Sequence, residues 1–83
     1  MRAKDRLGLA KGSAREVLPG VVVIRSMSGS VSVVDHGCFV GWLHASSGAT
    51  WNAFVPPDTN LGKFTMEAAA RVIVAASHAR KAS

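Results

Sequence analysis

The densest group of chemistry-bearing side chains in this chain is Asp35-His36-Gly37-Cys38, with His44 and His78 further on. An aspartate, a histidine and a cysteine so close together could begin a metal site. Structural zinc takes four ligands, however, and Cys38 is the only cysteine. No paired histidines complete a set, and Asp-His-Gly is ordinary turn chemistry, so no metal is expected. A Cys38–His44 nucleophile pair fails on distance, because six residues along one strand at about 3.3 Å each set them roughly 20 Å apart. Asp35, Asp58 and Glu67 fall in two turns and a helix start, so no carboxylates pair for acid–base work. Gly41, Gly48 and Gly62 lack the glycine-rich strand-to-helix turn and the following Lys-Ser or Lys-Thr of a phosphate loop. These readings argue against an enzyme, a cofactor and a small-molecule substrate.

Binding is the class that remains. Ten Lys and Arg stand against five Asp and Glu, a net charge of +5 with a pI near 10.4. Such a surplus favours anionic partners, nucleic acid before an anionic membrane surface. Half of the cations, Arg2, Lys4, Arg6, Lys11 and Arg15, fall within residues 1–20 among Gly8, Gly12, Ser13 and Pro19-Gly20. Arg25, Lys63 and Arg71 extend the set of phosphate candidates, and Asn52 adds an amide able to read a base edge. No apolar run is long enough to span a membrane. No apolar h-region follows the basic start, and a lone cysteine suits a reducing compartment, so a cytoplasmic location is expected.

Eighty-three residues allow one small domain. Residues 1–20 read as a basic, partly mobile arm, loose as far as Ser13 and docking through Val17 and Leu18. Residues 21–83 read as a single domain of sheet plus helix. Val21 to Met27 is β-branched and reads as a strand, returned by Ser28-Gly29 into Ser30 to Val34. Asp35-His36-Gly37 turns into Cys38 to Ala45, Ser46 to Ala49 into Thr50 to Val55, and Pro56 to Thr59 into Asn60 to Phe64. Thr65 caps a helix running to about Arg80, with Glu67 in the first turn and Met66, Ala69, Ala70, Ile73 and Ala76 on one narrow face. The fold class expected is α+β, an antiparallel meander of four or five short strands packed by one C-terminal helix.

One helix covers one face of a sheet, so the faces must be sorted. With Ser47-Gly48 as the loop residues, His44 lies opposite Trp51, Trp42 opposite Ala53 and Val40 opposite Val55. Both tryptophans then lie beneath the helix. The second face carries Phe39, Gly41, Leu43, Ala45, Thr50, Asn52 and Phe54. Phe39, Leu43 and Phe54 leave more apolar surface there than a monomer usually keeps wet. The expected cover is the segment around Val17 and Leu18, a second copy, or another protein.

Trp51-Asn52-Ala53-Phe54-Val55, then Leu61-Gly62-Lys63-Phe64, then an alanine-rich helix resembles a known pattern. The residues resemble the DNA-binding domain of the plant APETALA and ethylene-response-factor class and the related arm-binding domains of phage integrases. In that family a three-stranded sheet backed by one helix carries Trp-x-Ala-x-Ile, Leu-Gly-x-Phe and an Ala-Ala helix. The match runs from Phe39 to about Ala76. It implies that Trp51, Ala53 and Val55 face the helix, that Gly62 permits close packing and that Ala69 and Ala70 seat the helix. It further implies that the opposite sheet face lies in a DNA groove. The family's arginines on that face correspond here to Leu43, Ala45, Asn52, Phe54 and Asn60, which include no cation. The layout is also similar to small proteins of actinobacteria and their phages.

The expected function is therefore a small non-enzymatic DNA-binding protein of phage or mobile-element type, contacting phosphates through a basic arm and a sheet edge. The alternative is a phage-type interaction module or homodimer that docks Phe39, Leu43 and Phe54 on a host protein or on itself.

Overall fold

The computed structural model describes residues 11–48 and 50–82, with side chains described as far as residue 79. Six strands follow one another as neighbours in a single antiparallel sheet. They are β1 (Ala14–Leu18), β2 (Val21–Arg25), β3 (Val31–Asp35), β4 (Cys38–Ala45), β5 (Trp51–Val55) and β6 (Thr59–Phe64), and the helix α1 (Met66–Ala82) closes the chain. The α+β meander with a C-terminal helix is as expected, but the sheet has six strands rather than four or five. The added strand is β1, which places Ala14–Leu18 of the expected arm in the sheet opposite β2. Lys4, Arg6 and the rest of residues 1–10 lie outside the described residues.

The turns follow from local chemistry. His36 (φ 51°) and Gly37 (φ 87°) both adopt positive φ between β3 and β4. Two such residues make the tight turn whose twist matches a hairpin. At the β1–β2 turn the Gly20 N–H donates to Glu16 Oε2 at 2.8 Å. Between β4 and β5 the Ser46 N–H donates to the Thr50 carbonyl at 2.9 Å, and Thr50 Oγ1 donates to the Ser47 carbonyl at 2.7 Å. That longer connection pairs Ala45 with Trp51, Leu43 with Ala53, His44 with Asn52 and Trp42 with Phe54.

This pairing corrects the expected face assignment, which a two-residue Ser47-Gly48 loop would have required. One residue of slip moves a strand's side chains to the other side of the sheet. Leu43 thus turns under the helix, fully buried, and Trp42 turns out beside Phe54. The expected contact of His44 with Trp51 is likewise replaced by one with Phe54, 5.0 Å between ring centroids.

The core lies between α1 and one face of the sheet: Val21, Val23, Val31, Val33, Leu43, Trp51, Ala53 and Val55 against Met66, Ala69, Ala70 and Ile73. Val17, Leu18 and Phe64 pack at its margins. Thr65 Oγ1 accepts from the Ala68 N–H at 3.4 Å, capping α1 as expected. Small residues set how close the helix comes. A methyl group on the buried Gly41 would run into the Phe54 carbonyl oxygen and lie 2.7 Å from Ile73 Cγ2.

Gly41→Ala should therefore cost about 1–3 kcal/mol of stability through overpacking. Leu43→Ala should cost about 2–5 kcal/mol, the usual loss for a buried leucine. Urea unfolding measures both, and a Leu43→Ala chain as stable as the wild type would refute the face assignment.

Candidate functional site

The face that α1 leaves open can be read across the strands, because direct cross-strand partners share a side. Glu16, Val22 and Val34 form one row with Phe39. Ala14, Ile24, Ser32, Trp42, Phe54 and Asn60 form the next. His44, Asn52 and Lys63 form a third across β4 to β6. A shift in the β3–β4 register leaves Phe39 opposite Val34 and Gly41 opposite Val33, while Val40 is buried.

Three rings stack along this face. Trp42 lies parallel to Phe54 within 5° at 5.5 Å, and to Phe39 within 9° at 6.4 Å. His44 tilts onto the far side of the group against Phe54 at 48°. Such pairs are worth about 0.5–1.5 kcal/mol each beyond their burial. Stacking does not hide them: Phe39 is 55% exposed, Ile24 42%, and Trp42, Phe54, Val22 and Val34 are half-buried.

The cations are dispersed. Arg2, Lys4 and Arg6 lie outside the described residues. Lys11 is exposed ahead of β1, and Arg15 is exposed on the helix side of β1, its Nη2 3.5 Å from Met66 Sδ. Arg71 is on the outer side of α1, held by Glu67 at 3.0 Å. Lys63 and the half-buried Asn52 are neighbours on the open face. Arg25 is the correction: it is only 7% exposed and lies on the helix side, its guanidinium 6.0 Å from the centre of the Trp51 ring. A buried arginine lying over indole makes a cation–π contact and keeps little surface for a phosphate.

Of the expected interface, the fold gathers Phe39 and Phe54 and excludes Leu43. Trp42, Ile24, Val22 and Val34 join them. The alternation of β2 and β3 was the available signal for the aliphatic members, since Val22, Ile24, Ser32 and Val34 occupy every second position.

A second cluster sits at the covered side's rim. The buried Asp35 carboxylate accepts from His36 Nδ1 at 2.6 Å and from His78 Nε2 at 3.1 Å, because an ionised carboxylate can only accept. His78 thereby ties the late turns of α1 to the end of β3. Among the described residues no group of three His, Cys, Asp or Glu is placed to hold a metal ion. None of their helices is long and apolar enough to cross a membrane.

Comparison with protein-family models, curated proteins and solved structures gives no match to this chain.

The His36 hydrogen bond, with a smaller one from His78, holds the Asp35 carboxyl below the ordinary carboxylate range, while burial opposes the shift. A carboxyl depressed on folding stabilises the fold above its unfolded pKa, and that stability fades as pH falls from about 4 through the lower folded value. Asp35→Asn should therefore flatten the acid limb of the stability–pH curve, measured by thermal unfolding at stepped pH. An acid limb as steep as in the wild type would exclude the role.

Proposed function

We propose that this chain is a non-enzymatic docking module that covers the open face of its sheet with an apolar protein surface. The observation that carries the reading is the Phe39–Trp42–Phe54 stack, exposed beside Ile24, Val22 and Val34 on the side away from the helix. A contiguous apolar patch of this kind marks an interaction surface. Aromatic residues supply most of the energy in such contacts, and stacked rings give up little freedom on binding.

Nucleic acid fits the same face less well. Duplex binding needs several Lys or Arg on one surface, and single-strand binders set cations around rings that are free to stack on bases. Lys63 is the one Lys or Arg among the described residues of this face. Trp42 is stacked on protein rings instead. The charge of +5 supports loose, salt-sensitive contact with polyanions at the edges and in the N-terminal residues.

Two measurements test the reading. The double variant Phe39→Asp/Phe54→Asp should keep a cooperative thermal transition, losing about 1–3 kcal/mol as two stacked pairs are disrupted. Loss of cooperative folding would make the face part of the monomer's own core. Labelled single-stranded and duplex oligonucleotides should bind wild-type protein no tighter than about 1 μM at physiological salt, the range of non-specific contact. Tighter binding that disappears with Trp42→Ala would overturn the proposal in favour of nucleic acid.

A further inference from the structure

We infer that the occupant of the open face is the same face of a second copy of this chain, the ring-bearing half of each copy lying on the aliphatic half of the other. This rests on the docking reading above and adds the partner and its geometry.

The register supplies the argument. Ile24, Ser32, Trp42 and Phe54 stand in one row on β2, β3, β4 and β5, each the direct partner of the next. Sheets stack about 10 Å apart with their strands within about 30° of one another. Consider a two-fold axis between the stacked sheets, running along the strands between β3 and β4. It exchanges β3 with β4 and β2 with β5. Trp42 of one copy then lies over Ser32 of the other, and Phe54 over Ile24, and symmetry repeats both contacts. In the adjoining row Phe39 meets Val34, because those two are also cross-strand partners on β4 and β3. The largest ring thus meets a small side chain of its own row. An isologous contact demands that kind of self-complementary order, whereas an unrelated partner does not.

Charge and size agree. Both copies carry +5, yet the described open face holds only Lys63 on the β6 edge and Glu16 on the β1 edge. The same axis keeps each row over itself, so Glu16 and Lys63, two rows apart, do not face each other, and the rest of the described face brings no Lys, Arg, Asp or Glu of the two copies together. The sheet has six strands of about five residues, a plan of roughly 29 by 17 Å at standard spacings. That footprint of about 500 Å² per copy, about 1,000 Å² in total, reaches the lower bound of a specific interface.

Sedimentation equilibrium on the full chain tests this, with the 8.7 kDa monomer as reference. The wild type is expected at twice that mass. Ile24→Lys and Phe54→Glu should each give a monomer alone, and mixing the two should restore a heterodimer, since the new charges then face each other. Ser32→Arg, which alters no core residue, should also give a monomer and serves if either other variant unfolds. A wild type that stays at monomer mass up to about 1 mM overturns self-docking, since association is then weaker than roughly 4 kcal/mol. If the Phe39→Asp/Phe54→Asp chain still folds in that case, the docking reading survives with a foreign partner. A wild-type dimer unaffected by Ser32→Arg also overturns the proposal, because its interface then lies elsewhere.

Discussion

The connection from Ser46 to Thr50 holds Ala45 opposite Trp51, and the identity of both sheet faces depends on that pairing. It puts Trp51, Ala53 and Leu43 beneath the helix, where Ala69, Ala70 and Ile73 meet them. It sets Gly41 where a glycine is needed, under Ile73 and against the Phe54 carbonyl. The same parity turns Trp42 and Phe54 outward together, close enough to stack. Had the strand slipped by one position, Trp42 would compete with Trp51 for space that alanines and a glycine leave only for close helix approach.

Much of the architecture was legible in the residue pattern because each signal was local. The β-branched runs, the Asp-His-Gly turn, the two prolines after Val55 and the Thr65 cap each act within a few residues, and each lies where expected. The first strand was harder to see. Arg15 and Glu16 are charged and exposed, so Ala14–Leu18 shows no clear apolar alternation, and its pairing with β2 is a tertiary effect. The open face was half legible. Phe39 and Phe54 are on it, but one loop's length misplaced Leu43 and concealed Trp42. Loop length depends on turn hydrogen bonds such as that from Thr50 Oγ1 to Ser47, which strand patterning does not encode.

Two polar side chains are buried on the covered side, and each is accommodated differently. Arg25 and Asp35 stand at opposite ends of the β2–β3 pair, since Arg25 is opposite Val31 and Asp35 opposite Val21. The guanidinium lies over an indole, whereas the carboxylate takes two imidazole donors. Burial of a charge is costly without such partners. Together with the Glu67–Arg71 pair on the helix, these contacts occupy ionic groups that composition alone would assign to an outside polyanion.

Consecutive strand pairing also dictates an order of events during synthesis. Every hairpin closes from neighbouring residues, a local topology that favours quick formation. The helix, however, follows all six strands along the chain, and until it arrives both sides of the ribbon display valines, leucine and rings to any neighbouring nascent chain. This seventeen-residue element therefore acts as the seal that ends a brief window of stickiness, during which aggregation competes with folding.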